Sequence, residues 1–421
     1  MDGLIANGLI LEWLNLAFRF FHVVAAIAWI GASFYFIWLD LSLREPPQWK
    51  QDQGVKGDLW AIHGGGIYEV AKYHLRPQVM PQKLHWFKWE AYSTWLSGTG
   101  LLILMYYLQA QTYLVGYNTL IQSPGLAVVA SISFLLGAQL IYELLLRTCL
   151  VKKGLVFAAV LLLLIGVASY LAHCLFSPRA AYLHIGAMIA TWMAGNVFWG
   201  IMPAQRKFIA AVTNNEAPDT CAMAFAKLRS THNNYLTLPV VFCMLSNHYP
   251  FIYGHEYAWL ALVAIGLSLA WARHFFNLKH LGIVKPYILV TSLMALIFIG
   301  WLMSLSSVTK MNAAKANATN VSTTETASVE AGADAGAITA SVEEKITQLV
   351  QVHCTNCHAV TPIQPGFNAP PAGLILDSAA QLSAQKIRAL PALSSGYMPL
   401  GNFHQMTDLE RKTLIDWLNA Q

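Results

Sequence analysis

The sequence LVFAAVLLLLIGVASYLAHCLF, residues Leu155–Phe176, contains no Asp, Glu, Lys or Arg. A helix needs about 20 mostly apolar residues to cross a bilayer, because every backbone polar group must find its partner within the segment. This stretch meets that need without interruption. It therefore predicts a membrane-spanning helix, and similar stretches occur on both sides of it.

Eight apolar stretches in total predict an all-α protein built on an eight-helix transmembrane bundle. The sixth is the shortest and is interrupted by Pro239. The predicted spans are Glu12–Leu39, Trp89–Leu108, Pro124–Leu146, Leu155–Phe176, Ala180–Met202, Tyr235–Phe251, His255–Phe275 and Pro286–Ser307.

The composition supports this fold class and excludes others. Of the 421 residues, 56% are hydrophobic and only 11% are charged, whereas about a quarter are charged in an ordinary soluble domain. This excludes a disordered chain, a disulfide-built secreted scaffold and an ordinary cytosolic enzyme. The net charge of +5 is small and scattered, so no nucleic-acid partner is expected and the lipid bilayer is the expected environment.

Basic residues predict the orientation of the bundle, because they concentrate in cytoplasmic connections. The connections after the odd-numbered spans hold nearly all of them, whereas those after the second, fourth and sixth spans hold Arg179 alone. We therefore expect a multi-pass membrane protein with its odd-numbered connections in the cytoplasm and both termini outside.

The composition changes after the last span. Residues 309–340 are rich in Ala, Thr, Ser, Asn and Gly and contain no aromatic residue. Such a segment buries too little apolar surface to offset its ordering entropy. We expect a transmembrane domain over residues 1–308, a flexible linker over 309–340, and a small polar domain outside the cytoplasm over 341–421.

The C-terminal domain contains Cys354-Thr-Asn-Cys357-His358, the C-x-x-C-H attachment motif of a c-type haem. Two thiols one helical turn apart can each bond one vinyl group of a porphyrin, and His358 can then ligate the iron. A zinc site would need further ligands, and no second Cys pair occurs. A redox dithiol would belong to a βαβ pattern that this segment lacks.

Two predicted helices flank this domain, as in a small cytochrome c: Ser341–Val352 leads into the motif, and a capping box at Thr407–Glu410 opens the last helix. The sixth iron ligand of such a domain is often a methionine. We assign it to Met398, which lies between turn-forming residues, and expect Met406 to pack beside the capping box.

Ionisable groups within membrane spans are costly and are functional candidates by default. Arg19 and His22 share a face of the first helix, and Asn196 lies deep in the fifth span. Glu143 and Arg147, four residues apart, are expected to form a structural pair.

Six further histidines form two candidate groups for a second site. Those expected near the outer surface could hold a b-type haem, although the familiar pair of His on one helix is absent. Those expected near the inner surface accompany a His-Gly-Gly-Gly run that lets the backbone approach a ligand. The outer group is His173, His184 and His248, and the inner group is His63, His85 and His232.

The chain resembles, over nearly its whole length, the bacterial membrane-bound, cytochrome c-linked urate oxidases (urate hydroxylases). The tail adds CTNCH and YMPLGN to this resemblance. The matching stretches are Arg19–Phe36 (RFFHVVAAIAWIGASFYF), Trp60–Tyr68 (WAIHGGGIY), Lys83–Leu96 (KLHWFKWEAYSTWL), His173–Gly200 (HCLFSPRAAYLHIGAMIATWMAGNVFWG) and His232–Pro250 (HNNYLTLPVVFCMLSNHYP).

The resemblance implies oxidation of urate to 5-hydroxyisourate, with electrons passing to one covalent c haem and on to a respiratory acceptor such as a cytochrome oxidase, without hydrogen peroxide. It carries the haem ligands onto Cys354, Cys357, His358 and Met398. For the urate site we expect Arg19 as the cation, His22 as a base and Asn196 as a donor, in the outer half of the bundle. The alternative function is a non-catalytic haem-bearing subunit of a quinol or terminal oxidase complex.

Overall fold

The computed structural model describes residues 2–75, 81, 83–116, 119–325, 335–360, 362–364, 370–371, 374–402 and 404–421. The chain is mostly helical, at 74%. This confirms the helical class predicted from the apolar stretches.

Twelve helices make up the part of the chain up to residue 325 among the described residues. Two of them continue into short π-helical segments, Ile103–Tyr107 after the third and Asn196–Ile201 after the seventh. The helices are α1 (Asp2–Ser42), α2 (Gln48–Gln51), α3 (Trp89–Leu102), α4 (Ala110–Tyr113), α5 (Pro124–Leu146), α6 (Gly154–Leu175), α7 (Pro178–Gly195), α8 (Met202–Thr213), α9 (Thr220–Ser246), α10 (Pro250–Tyr253), α11 (Ala258–His280) and α12 (Pro286–Glu325).

Within the described ranges, six helical segments are long and apolar enough to cross a membrane. One of them runs without a break from Pro178 to Thr213, through α7, its π-helical segment and α8. The other two predicted spans are also helical, but they are not among the helices that are long and apolar enough to cross a membrane. Trp89–Leu108 is divided between α3 and a π-helical segment, and Tyr235–Phe251 falls mainly in α9, whose first half is polar.

The connection between α1 and α3 departs from the all-α prediction, because it contains a β-hairpin. Strand β1 (Val55–His63) pairs antiparallel with β2 (Gly66–Tyr73), and His63 lies opposite Gly66. Gly64 and Gly65 form the turn with φ values of 56° and 79°. Two-residue turns of this kind match the twist of paired strands, so the glycine run serves a hairpin here.

The bundle has two ends, because successive long helices run in opposite directions. At the hairpin end, Lys227 near the start of α9 pairs with Asp40 near the end of α1, at 2.7 Å. At the other end, called the docking end below, the α6–α7 connection contacts the segment after α4 through a hydrogen bond from the Ser177 N–H to the Leu114 carbonyl, at 2.9 Å.

Helix α7 is the centre of the core. Most of its side chains are buried, and Trp192 is fully buried. Its many Ala and Gly residues explain this position, because small side chains let neighbouring helices approach closely. At Gly186 an added Cβ would lie 2.8 Å from the Cβ of Cys243 on α9.

The segment predicted as a flexible linker is partly helical in the structure, since α12 continues to Glu325. Residues 309–325 contain four Ala and neither Gly nor Pro, so no strong helix breaker interrupts this segment. Residues 326–334 of the predicted linker lie outside the described residues.

The C-terminal region forms a separate apolar core. It is built around Ile346, Val350, Leu414 and Leu418, each at most 1% exposed. The capping box predicted at Thr407 and Glu410 is confirmed. The helices are α13 (Ala335–His353), α14 (Thr355–His358), α15 (Ala379–Ala384), α16 (Lys386–Ser394) and α17 (Asp408–Ala420).

Candidate functional site: the C-x-x-C-H segment and the docking end

His358 is positioned as an iron ligand would be. Its side chain is buried at the end of α14, and its Nδ1 lies 2.9 Å from the Leu374 carbonyl oxygen. Metal-bound histidines typically donate their second ring N–H to such a carbonyl, which fixes the ring and directs Nε2 at the metal. Burial also lowers the pKa of His358, which favours the neutral imidazole that binds iron. The residues present therefore fit a haem.

The two motif cysteines are half-buried free thiols. Burial raises the pKa of the Cys354 thiol to about 12 and also raises that of Cys357. Reactive redox dithiols show the opposite shift. Among the described residues, no group of three or more His, Cys, Asp or Glu side chains is arranged to hold a metal ion. Neither observation favours the redox-dithiol or zinc interpretation.

Met398 and Met406 lie in different surroundings. Met406 is 2% exposed within the C-terminal core, as expected of a packing residue. Met398 is only half-buried, and its carbonyl accepts a hydrogen bond from Arg411 on α17. The Met398 loop is therefore anchored through its backbone.

The Met398 loop lies against the docking end of the bundle. The rings of Tyr397 and Tyr253 meet edge to face with centroids 5.3 Å apart. The turn Leu400–Asn402 contacts α4, and α16 contacts α10. A cavity of about 240 Å³ lies between the two parts of the chain, lined by Gln111, Thr112, Val115, Gly116, Gln122, Ser177 and Pro178 from the bundle and by Gly396, Tyr397, Pro399, Leu400 and Asn402 from the C-terminal region.

Arg19 and His22 lie on α1 beside α3 and the π-helical segment that follows it. Arg19 is exposed and donates to Asn15 Oδ1 at 2.8 Å and to Met105 Sδ at 3.0 Å. The His22 Nδ1 lies 3.0 Å from the Thr94 carbonyl oxygen. Both side chains therefore have local partners that link α1 to its neighbour.

Asn196 lies on the π-helical segment that continues α7, a different element from the helix that carries Arg19 and His22. It lies 18 residues beyond Pro178, about 27 Å along a continuous helix, and so belongs to the hairpin half of the bundle. Its side-chain amide donates to the Tyr142 hydroxyl at 2.9 Å and to Asn233 Oδ1 at 2.8 Å. Arg19, His22 and Asn196 have different hydrogen-bond partners, and their grouping in one urate site stays a prediction.

A buried polar cluster surrounds Asn196 instead. Arg229 forms a two-pronged ion pair with Glu143, at 2.8 and 2.7 Å, and its NH1 also lies 3.3 Å from Asn196 Oδ1. The predicted Glu143–Arg147 pair is therefore wrong, because helix packing brings Arg229 of α9 onto the carboxylate. His232 joins the cluster with its Nδ1 2.9 Å from the Tyr142 hydroxyl.

The six histidines proposed for a second site are dispersed. His184 is fully buried, and both ring nitrogens have protein partners, Ser131 Oγ at 2.6 Å and the Ala180 carbonyl oxygen at 2.7 Å. It is thus a satisfied core histidine. His63 at the hairpin tip, His85 before α3 and His248 after α9 are exposed, His173 is half-buried in the last turn of α6, and His232 belongs to the Asn196 cluster.

A comparison with protein-family models adds the decisive observation. The model of the urate oxidase N-terminal family matches residues 8–304, which is most of the chain and all of the helical bundle up to α12. The chain belongs to this family. Searches of curated proteins and of solved structures each gave no significant match.

Family membership links the bundle to urate and to oxidoreductase chemistry. The match ends before the C-x-x-C-H segment, so the evidence for haem rests on the motif and on the surroundings of His358. The Asn196 cluster was missed from sequence, because its members are spread over α5, the π-helical segment after α7, and α9, with no common motif.

Proposed function

We propose that this protein oxidises urate to 5-hydroxyisourate and passes the electrons to a c-type haem held by its own C-terminal domain. The observation that carries the proposal is the joint presence of a urate-oxidase-family bundle and a C-x-x-C-H segment docked on it. The acceptor is then built into the chain, and no hydrogen peroxide is formed.

The proposed reaction balances without oxygen as a reactant. The urate monoanion and one water give 5-hydroxyisourate, one proton and two electrons, with the water oxygen bonded at C5. A haem iron accepts one electron at a time, which calls for two successive transfers. The role left to the protein is to bind the planar anion, position water over C5 and accept the proton.

The proposed cofactor set is one covalent haem. Cys354 and Cys357 would attach it, while His358 and Met398 would ligate its iron and raise its potential relative to two histidines. When bound, the haem supplies a one-electron acceptor at the docking end.

The proposed location is the bacterial inner membrane, with an eight-span bundle, both termini and the haem domain in the periplasm, and a respiratory acceptor such as a cytochrome oxidase as partner. The excess of basic residues in the connections at the hairpin end supports this orientation. The docking of the C-terminal domain at the opposite end agrees with it, because haem is attached outside the cytoplasm.

A paired cysteine experiment tests the proposal. The Cys354→Ser/Cys357→Ser variant should lose both covalent haem and urate consumption, whereas the control Cys149→Ser/Cys221→Ser should keep both. The control cysteines are exposed and lie outside the motif. Measurements are haem content by pyridine haemochrome, urate loss and peroxide formation.

Two results would refute the proposal. One is undiminished urate oxidation by the motif variant. The other is haem-loaded wild-type protein that associates with an oxidase complex but consumes no urate, as the non-catalytic electron-transfer subunit would.

A further inference from the structure

Tyr397 is the residue through which the Met398 loop reaches into the bundle. Its ring packs against the buried core of the bundle and meets the ring of Tyr253 edge to face, with the ring planes 70° apart. Tyr253 ends α10 and is 2% exposed. A side chain of the C-terminal region is thus seated among buried residues of the bundle.

Arg179, in the first turn of α7, holds the polar end of the same side chain. The Tyr397 hydroxyl is in hydrogen-bonding contact with both Arg179 and Tyr253. Arg179 is itself held by the bundle, since its NH2 donates to Asn247 Oδ1 at 3.4 Å and its guanidinium carbon lies 5.7 Å from the centroid of the Tyr113 ring. Arg179, Tyr253 and Tyr397 are called the Tyr397 clamp below.

The bundle side of the clamp is fixed by the connection that begins α7. The Ser177 hydroxyl donates to the Tyr113 carbonyl at 2.6 Å and accepts from the Ala180 N–H at 3.4 Å. Helix α10, which carries Tyr253, contacts both α7 and α11. Partners that are already in place lose little freedom when Tyr397 binds them.

Met398, the next residue, is tied to the C-terminal domain. Its N–H donates to the Ala392 carbonyl at 2.9 Å, and its carbonyl accepts a hydrogen bond from Arg411. Consecutive Cα atoms are about 3.8 Å apart, so Met398 cannot move far from its place without also moving Tyr397. The loop is therefore held from two sides, by the C-terminal domain at Met398 and by the bundle at Tyr397.

We propose that Arg179 and Tyr253 are positioning residues for the sixth haem ligand. By holding Tyr397 they keep the Met398 loop in place, so ligation of the iron by the thioether depends on the docking of the C-terminal domain. The haem then has the higher potential of methionine ligation when its domain is docked on the bundle that supplies the electrons. The inference rests on the proposed function, which assigns Met398 to the iron.

The test measures how readily an added ligand replaces Met398 on the ferric haem of the full-length holoprotein. Imidazole binds the iron only in the fraction of molecules in which the thioether has left it, so the apparent Kd for imidazole falls as that fraction rises. A hydrogen bond to a charged group stabilises by about 1.5 kcal/mol or more, which corresponds to about tenfold. We therefore expect Arg179→Gln and Tyr397→Phe each to lower this Kd about tenfold, measured by haem absorbance.

The controls change exposed side chains outside the clamp. Arg206→Gln lies on α8 at the hairpin end, and Tyr249→Phe lies between α9 and α10. Both should leave the Kd for imidazole unchanged.

Two combined variants show whether the effect passes through the clamp and through Met398. Arg179→Gln with Tyr397→Phe should lower the Kd no further than Tyr397→Phe alone, because both changes remove the same hydrogen bond. Arg179→Gln should have no effect in the Met398→Ala background, in which there is no thioether to replace.

Three outcomes overturn the inference. The first is an unchanged Kd for imidazole in both Arg179→Gln and Tyr397→Phe. The second is an effect of Arg179→Gln that persists in Met398→Ala, which would show that the arginine acts on the haem itself. The third is full additivity of Arg179→Gln and Tyr397→Phe.

A milder variant keeps the test decisive if Arg179→Gln does not accumulate. Tyr253→Phe keeps the ring but removes the other contact of the Tyr397 hydroxyl, and we expect it to lower the Kd about threefold, as for a hydrogen bond between neutral groups. An unchanged Kd in that variant and in Tyr397→Phe would overturn the inference. Wild-type protein without a covalent haem would instead refute the proposed function itself.

Discussion

Met398 and Met406 are eight residues apart, yet they differ in burial and in neighbours. Met406 is enclosed by the apolar core of the C-terminal domain, whereas Met398 lies on a loop anchored by Arg411. We expect Met398→Ala to keep the covalent haem but to change its absorption spectrum and lower its midpoint potential, because the thioether ligand is lost.

The matched variant Met406→Ala should leave the spectrum and potential unchanged while lowering the free energy of unfolding by about 2–5 kcal/mol, as for other buried methionines. Absorption spectra, redox titration and denaturant unfolding followed at the Soret band measure these effects. A normal spectrum in Met398→Ala with an altered one in Met406→Ala would show that Met406, and not Met398, is the sixth ligand.

Single residues were predictable from sequence where a local motif defines their chemistry. The spacing of Cys354, Cys357 and His358 needs no tertiary information. The partner of Glu143 could not be read in the same way, because Arg229 is 86 residues away and is brought to it only by helix packing. Arg179 had a signal, since it is the single basic residue in the connections predicted to lie outside.

The π-helical segment Asn196–Ile201 is the element that shapes the Asn196 cluster. An extra residue in the turn re-aims side chains, and such segments often occur at functional positions. At Gly200 an added Cβ would overlap the Arg229 side chain, lying only 2.6 Å from its Nε. The absence of a side chain there allows Arg229 to reach Glu143.

We expect Gly200→Ala to lower the free energy of unfolding by about 1–3 kcal/mol, because the guanidinium must move from its buried carboxylate. The control is Gly166→Ala on α6, where an added Cβ meets nothing within 4 Å. That change should be neutral or stabilise by about 0.4–1 kcal/mol. Unfolding in detergent measures both, and equal effects would contradict the packing described for Arg229.

The capping box of α17 predicts that the stability of the C-terminal domain depends on pH. The Glu410 carboxylate accepts hydrogen bonds from the Thr407 N–H at 2.7 Å and from its hydroxyl at 2.8 Å, which lowers the pKa of Glu410. Because the pKa of Glu410 is lower in the folded protein than its unfolded value of about 4.3, the ionised carboxylate stabilises the folded state. This stabilisation is complete above the unfolded pKa and is lost as the pH falls through the folded pKa.

Acid unfolding of the C-terminal domain should therefore be less steep in Glu410→Gln than in the wild type below about pH 5. The control Glu344→Gln changes an exposed carboxyl on α13 outside the capping box and should follow the wild type. Soret absorbance against pH measures the transition. Identical curves for wild type and Glu410→Gln would contradict the role given to the capping box.

Helix bounds could be predicted from sequence where a single feature, such as an apolar run or a capping motif, determines them. Uninterrupted apolar runs predicted α5 with both of its ends, and the capping box predicted the start of α17. The hairpin was missed because its strands carry little alternation, and only Gly64-Gly65 indicated a turn. The polar first half of α9 was missed because hydropathy does not register helices that bury amides and ion pairs.

At the scale of the whole molecule, the predicted orientation and the structure agree on the end of the bundle that carries the C-terminal domain. The distribution of basic residues predicts that the C-terminus lies outside, and the structure docks the C-terminal domain at the end that this orientation makes the outer one. A substrate site at the same end would need no second cofactor to carry electrons across the membrane. The docking contacts themselves could not be predicted, because the sequence does not specify how two domains meet.

The most direct test of the account is an anaerobic titration of the oxidised holoprotein with urate, followed by the absorbance of its c haem. Oxidation of urate releases two electrons and the one proposed haem accepts one of them, so half a molar equivalent of urate should reduce the haem fully, with 5-hydroxyisourate as product and no peroxide. Haem that stays oxidised at every urate concentration, in protein shown to contain it, would contradict the central claim.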